Sequence, residues 1–274
     1  MPEGPEIRRA ADAIAKVLEG QTLQTVRFGQ PRLRRWGKKL TGLKVEKVET
    51  RGKAMLTHLD NGHSIYSHNQ LYGVWRVVAG RTLPQTNRSQ RLLLQTENHS
   101  AILYSASDIS VMPTGELDQH PFLSKLGPDI MASDLDWPRI AGRLNDSAFT
   151  GKTLAALYLD QGFLAGVGNY LRSEILHDAR LHPLRKPSSL SRGETGRLAR
   201  STLGISQRSY RTKGVTLTRQ LAGSLEKSGL DWEKRRFYAY GREECPCYHC
   251  GHRIVRTEAN SRGLYYCPEC QPAG

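Results

Sequence analysis

Apolar residues recur at helical spacing from almost the first positions of the chain. Ile7, Ala10, Ala11, Ile14, Val17 and Leu18 fall on one face of a helix. Pro5 suits its first turn, where a missing N–H costs nothing, and Gly20 suits the position just past its end. The stripe predicts that this helix docks on the rest of its domain. Docking would hold residues 2–6 in place, where termini usually fray. From about residue 22 to 105 the pattern changes to short strands. Ala54 to Leu59 and His63 to Ser67 flank Asp60-Asn61-Gly62, a strong hairpin signal. Leu43 to Glu49, Gly73 to Val78, Arg91 to Gln95 and Ala101 to Tyr104 are further strands. This many strands with no intervening helix predict a β-sandwich or barrel. Residues 106–130, with prolines at 113, 121 and 128, read as a connector.

From about 131 to 222 the chain reads as helical, with helices over Thr153 to Asp160 and Tyr170 to Asp178. Between them lies Gln161-Gly162-Phe163-Leu164-Ala165-Gly166-Val167-Gly168-Asn169. Its three glycines predict a turn with close backbone approach. A helix beginning near Asn169 would direct unpaired N–H groups out of that turn, an anion site. The alternative is a tight turn that only packs two helices together. Residues 183–235 are polar and basic and give no clear period.

Charge changes the picture next. Forty Lys+Arg against 26 Asp+Glu give a formal net charge of +14 over 274 residues, enough chain for two domains. Such an excess attracts polyanions, nucleic acid first and an anionic membrane surface second. No run of 18 apolar residues occurs, so no transmembrane helix is expected. The start Met1-Pro2-Glu3-Gly4-Pro5-Glu6 has neither the basic region nor the apolar stretch of a secretory signal, which predicts a cytoplasmic location.

All five cysteines fall between Cys245 and Cys270. In a reducing compartment such clustering favours metal over disulfides. Cys247-Tyr-His-Cys250 and Cys267-Pro-Glu-Cys270 form a paired C-x2-C pattern with sixteen residues between. Two short knuckles supply four thiolates to one tetrahedral zinc and leave no open position, so the metal is structural. The pair Cys245/Cys250 also has an allowed spacing, and His249 and His252 are possible ligands. Cys247 is preferred because it makes the two halves alike. The intervening hairpin carries Arg253, Arg256 and Arg262, a basic finger for phosphates.

Taken together, Pro2-Glu3-Gly4-Pro5-Glu6, Arg51-Gly52-Lys53, Gly166-Val167-Gly168-Asn169-Tyr170 and the cysteine ribbon resemble the formamidopyrimidine-DNA glycosylase and endonuclease VIII family over nearly the whole chain. Gly4 and the segment Tyr66-Ser-His-Asn-Gln-Leu-Tyr-Gly73 resemble its endonuclease VIII branch. The resemblance implies an α+β fold: an N-terminal helix and β-sandwich (1–125), a helix–two-turn–helix domain (131–222) and a C-terminal zinc ribbon (236–271), with DNA across the cleft between the halves. It implies a monomeric, bacterial-type base-excision-repair enzyme, associated with the nucleoid when on DNA. Such an enzyme acts as glycosylase and AP lyase, removing oxidised pyrimidines from duplex DNA through a Schiff base and β,δ-elimination.

What the resemblance implies for each residue has a chemical reason. Pro2, once Met1 is removed, offers a secondary amine that attacks the sugar C1′; in the uncut chain that nitrogen is an inert tertiary amide. An α-amino group titrates near ~8, against ~10.4 for a lysine side chain, so part of it is neutral at physiological pH. Glu3 is the acid–base carboxylate and Glu6 supports the site. Lys53 contacts the lesion sugar or its phosphate and donates a proton in β-elimination. Arg262 grips phosphates and assists δ-elimination. Asn169 binds phosphate. Lys125 stands where the branch has arginine, and neutralises a phosphate without a bidentate grip. Gln70, Leu71 and Tyr72 fill the gap left by the extruded base. Two other readings compete: a sister enzyme for oxidised purines, against which the Gln70-Leu71-Tyr72 segment speaks, and a non-catalytic DNA-binding protein, against which Pro2, Glu3 and Lys53 speak.

Overall fold

The computed structural model describes residues 2–273, in two compact units divided after Lys125. In the first, helix α1 (Gly4–Leu18) buries Ile7, Ala11, Ile14 and Leu18, the stripe read from the sequence. Gly20, at φ +76°, turns the chain away after it. Strands β1 (Thr25–Phe28), β2 (Val45–Arg51), β3 (Ala54–Leu59), β4 (His63–His68), β5 (Val74–Ala79), β6 (Gln90–Gln95), β7 (His99–Tyr104) and β8 (Asp108–Pro113) form two antiparallel four-stranded sheets. Their orders are β1-β6-β7-β5 and β2-β3-β4-β8. Val26, Leu92, Leu94, Ala101 and Leu103 from one sheet share a core with Val45, Val48, Met55, Leu59, Ile65 and Ile109 from the other. Ile14 and Leu18 of α1 complete it, each such side chain stabilising the fold by roughly 1.5–3 kcal/mol. This is the expected β-sandwich with an N-terminal helix.

Among strands and α-helices of this unit, the structure adds β1, β8 and one helix to the sequence reading. The connector expected over 106–130 begins with β8, which pairs with β4 from His68↔Asp108 to His63↔Pro113. It has one neighbour and buries only Ile109, so its alternation is weak, and Pro113 is tolerated at a strand end. The strand region also holds a helix, α2 (Arg34–Leu40). Only Gly37 and Leu40 are buried in its seven residues, too few to show a period. Gly37 is required there, because a Cβ would lie 2.8 Å from the carbonyl oxygen of Val26.

The second unit contains helices α3 (Trp137–Leu144), α4 (Leu154–Leu157), α5 (Asn169–Asp178), α6 (Arg192–Arg211) and α7 (Arg219–Lys227), then the hairpin β9 (Val255–Ala259) and β10 (Arg262–Tyr266). α5 and α3 both pack on α6, around Ile140, Leu144, Leu171, Ile175, Leu198 and Ile205. The helix expected over 153–160 is a single turn, α4, capped by Thr153. Tyr158 is its C-cap, and the Asp160 carboxylate holds the turn that follows by accepting the N–H of Gly162 at 2.8 Å. The stretch that gave no period holds the longest helix, α6. Its buried face includes Thr195, Ser201, Thr202, Ser206 and Ser209. Thr195 and Thr202 bond backbone carbonyls and Ser209 bonds the Tyr170 hydroxyl, whereas Ser206 Oγ is buried with no partner among the described residues. None of these side chains carries a hydrophobic signal. The architecture is α+β: sandwich, helix–two-turn–helix module and C-terminal ribbon.

Candidate functional site

At the start of α1, Glu3 is the N-cap and Glu6 lies three residues on. The Glu3 N–H donates to the Glu6 carboxylate at 3.0 Å. This places two carboxylates at the positive end of the helix, where its dipole favours them. Glu3 is 3% exposed and Pro2 half-buried. The pairing Arg51↔Ala54 makes Gly52-Lys53 a two-residue turn between β2 and β3. Gly52 takes φ +62°, as such a turn demands. Lys53 is 8% exposed, so its side chain is buried rather than extended into solvent.

Register carries the next group to the same sheet edge. Ala54 pairs with His68, so the Lys53 turn and the β4–β5 loop leave the same end of the sheet. That loop holds Gln70, Leu71 and Tyr72, and several contacts fix it. The Gly73 N–H donates to the Asn69 carbonyl at 2.8 Å. Gln70 adopts φ +53° and donates its N–H to His68 Nδ1 at 3.0 Å. The Ser107 hydroxyl donates to Gln70 Oε1 at 2.8 Å, and Arg88 donates to the Tyr72 carbonyl at 2.9 Å. The side chains of Leu71 and Tyr72 stand out, 57% and 73% exposed. Burial lowers the His68 pKa; Asp108 opposes this, and the Lys53 ammonium adds to it. A neutral His68 keeps Nδ1 an acceptor. Ring contacts of Phe122 with His68 and Tyr66 place the segment that ends in the exposed Lys125 against this strand.

In the second unit Asn169 opens α5 after Gly168. Its Nδ2 donates to the Gly263 carbonyl at 2.7 Å, one residue from the exposed Arg262. Its Oδ1 accepts from Arg172 at 2.6 Å. The fully buried Arg172 also donates to the Ala155 carbonyl at 3.1 Å. Glu174, equally buried, accepts N–H bonds from Tyr238 and Ala239 at 2.8 Å and from Tyr240 at 2.9 Å, together with the Thr216 hydroxyl. So α5 is tied to the approach of the ribbon and to its hairpin. Sequence reasoning had not singled out Arg172, Glu174, Ser107 or Arg88. No local sequence signal marks Arg172 and Glu174; the structure shows them inside a helix that is buried from Tyr170 to His177.

The Sγ atoms of Cys247, Cys250, Cys267 and Cys270 lie within 4.8 Å of one another. Tetrahedral zinc with ~2.3 Å bonds requires sulfurs about 3.8 Å apart. Cys247–Cys270 is 3.9 Å and Cys250–Cys267 3.4 Å. These residues fit one structural zinc. Cys245 is exposed and outside the cluster, as are His249 and His252 among the described residues. The hairpin turn uses Asn260 and Ser261, both at positive φ, and sets Arg262 at the first position of β10.

Comparison with known proteins agrees across the chain. The profile of the formamidopyrimidine-DNA glycosylase N-terminal domain matches residues 1–107, that of the H2TH domain of the same glycosylase residues 126–220, and that of the zinc finger found in FPG and IleRS residues 246–273. Endonuclease 8 of Klebsiella pneumoniae is 43% identical over 271 residues, covering 99% of this chain and 100% of the relative. Endonuclease 8 of an Escherichia coli strain is 44% identical with the same coverage. The Lactococcus lactis formamidopyrimidine-DNA glycosylase in complex with N7-benzyl-Fapy-dG DNA superposes with TM-score 0.80 at 22% identity, covering 99% of this chain and 100% of that one. The same enzyme with DNA containing an oxidised pyrimidine gives 0.79 at 23%, with the same coverage.

Proposed function

Because this chain belongs to the formamidopyrimidine-DNA glycosylase and endonuclease VIII family, we propose that it removes oxidised pyrimidines from duplex DNA and then cleaves the strand, with the Pro2 nitrogen as nucleophile. The observation that carries this reading is a buried carboxylate, Glu3, adjoining Pro2 at the mouth of α1, in the same unit as the buried Lys53. The reading requires loss of Met1, which lies outside the described residues.

Attack of the neutral amine on C1′ forms an N–C bond as the glycosidic bond breaks, and the base leaves with a proton. Ring opening gives a cationic iminium, which accepts the electron pair released when a C2′ proton is lost. The 3′ phosphate departs in that β-elimination, and the 5′ phosphate in the δ-elimination that follows. Glu3 moves protons at the sugar ring. Glu6 holds the peptide that links Pro2 to Glu3, through the Glu3 N–H. Lys53 supplies a proton to the leaving side, and Arg262 and Lys125 meet phosphates. An amide nitrogen has two hydrogens; Asn169 uses one on Gly263, and the other takes a phosphate oxygen. Extruding the base leaves a gap that the exposed Leu71 and Tyr72, with Gln70, are built to fill. The zinc orders the hairpin and takes no part in the reaction. No described helix is long and apolar enough to cross a membrane. The partner in this reading is damaged DNA, met by a monomer in the bacterial cytoplasm at the nucleoid.

Borohydride trapping tests the reading. Protein incubated with duplex DNA holding thymine glycol, or an abasic site, should yield a covalent adduct on reduction, mapped by mass spectrometry to Pro2. An extra residue retained before Pro2 should abolish it. Full trapping with that extension in place excludes the nucleophile. A strong preference for 8-oxoguanine over thymine glycol excludes the substrate class and leaves the nucleophile standing.

A further inference from the structure

Helix α5 reaches the cysteine cluster through a side chain that no motif above includes. His177 is 1% exposed, and its Nε2 lies 3.5 Å from Sγ of Cys247. The imidazole lies in a cluster with two near-parallel rings, Tyr238 at 5.6 Å and 19° and His249 at 5.4 Å and 20°, which are themselves 5.1 Å apart. Its Nδ1 is buried with no hydrogen-bond partner among the described residues.

These facts select a tautomer. A neutral imidazole carries one N–H. With the proton on Nδ1, a buried donor goes unmade and the Nε2 lone pair faces a thiolate, two penalties together. With the proton on Nε2, the N–H meets the sulfur and only a weakly demanding lone pair is left over. Four thiolates around one divalent ion leave a net charge of −2 at the site, and burial makes that charge costly. Donors to sulfur offset it. The backbone supplies one to Cys247 from His249 at 3.5 Å and one to Cys267 from Cys270 at 3.4 Å.

We propose that His177 is a positioning residue of the zinc site. Its Nε2–H donates to the Cys247 thiolate, fixes that ligand's orientation and draws charge from the sulfur. Metal retention in the ribbon thereby depends on the helix that also carries Asn169. The sulfur that receives two N–H donors is held in one orientation and its charge is partly offset, so it gives up its metal more slowly.

The test uses the full-length zinc-loaded protein. In competition with a chromophoric chelator, His177→Phe keeps the ring stack and deletes the donor. It should bind zinc about 10–100-fold more weakly, the usual cost of losing such a partner. His177→Gln restores an N–H at the same reach and should stay within about threefold of the parent. After cobalt substitution, the sulfur-to-metal charge-transfer band of His177→Phe should move to longer wavelength, and that of His177→Gln should not. A measurement on the unaltered protein guards against variants that fail to fold. Loaded with cadmium-113 and labelled in histidine, it should show through-bond coupling between the metal and one imidazole N–H. Absence of that coupling overturns the proposal. So does zinc affinity unchanged in His177→Phe, or lowered equally in both variants, which would make the contribution one of packing.

Discussion

Asn69 and Gly73 close the β4–β5 loop by bonding each other twice. The Gly73 N–H meets the Asn69 carbonyl at 2.8 Å, and Asn69 Nδ2 meets the Gly73 carbonyl at 3.1 Å. Gln70, Leu71 and Tyr72 are therefore displayed on a closed ring of backbone whose tip is exposed while its base is buried.

The clasp leaves no room for a side chain at 73. A Cβ there would lie 2.4 Å from the Asn69 carbonyl oxygen, which is backbone and cannot swing away. Gly73→Ala should therefore open the loop, at a cost of about 1–3 kcal/mol in denaturant melts. Because misplacing a reacting or wedging group by an ångström can cost up to about 100-fold, kcat/KM on a duplex lesion should fall at least tenfold. Single-turnover kinetics beside urea melts check both, and a variant with parental kinetics contradicts the clasp's role.

The acid stability of the helical unit should depend on Glu194. Arg185 donates to both its carboxylate oxygens, at 2.5 and 3.1 Å, and it closes a capping box with Ser191 at the start of α6. The Arg185 guanidinium, then the Ser191 N–H, hold its pKa at about 2, against about 4.3 for an unfolded glutamate. A depressed folded value means the stabilisation is complete above about pH 4.3 and is lost as pH falls toward 2. The pair is partly exposed, so screening reduces the term to about 1 kcal/mol. Glu194→Gln should lose that much at pH 7 and little at pH 2.5 in chemical melts. An equal loss at both pH values would point to a purely steric effect.

How much of this could be read in advance depends on what each residue buries. The α1 stripe, the Asp60-Asn61-Gly62 hairpin and the four cysteines were legible because apolar period, turn chemistry and ligand spacing are local. Helix α6 was not, since Thr202, Ser206 and Ser209 fill the positions where a period would be sought. Arg172 and Glu174 were also hidden. Their partners, Gly263 and Tyr238 to Tyr240, lie more than 60 residues away in sequence, and only the folded chain brings them together. The loop contacts of Ser107 and Arg88 span 37 and 16 residues and are likewise outside any local pattern.

Removing zinc should release more than the ribbon. Binding of the metal is part of the folding energy of such a hairpin, and Gly263 on β10 anchors Asn169. Chelation should thus raise amide exchange in Val255–Tyr266 and weaken duplex binding, while residues 25–113 keep their protection. Asn169→Ala, which cuts the same tether with zinc in place, should lower DNA affinity about tenfold or more, the scale of a hydrogen bond to a charged group. Hydrogen exchange by mass spectrometry and a binding titration at fixed salt check the pair. Protected hairpin amides after complete metal removal contradict the prediction.

The exposed tip of the loop separates function from stability. Leu71 and Tyr72 contribute almost nothing to a core, so Leu71→Ala and Tyr72→Ala should each change folding stability by no more than about 0.5 kcal/mol. If the two side chains enter the stack as a base leaves it, they offset an unstacking cost of a few kcal/mol, and their loss appears only where a base must be extruded. On duplex DNA with a paired thymine glycol, kcat/KM should drop about 10–100-fold for Leu71→Ala. On a single-stranded abasic substrate, where nothing has to be displaced, trapping and strand cleavage should match the parent. Parallel assays on the two substrates decide it: equal losses on both would assign Leu71 to the chemical step, and no loss on either would leave the exposed pair without a part in extrusion.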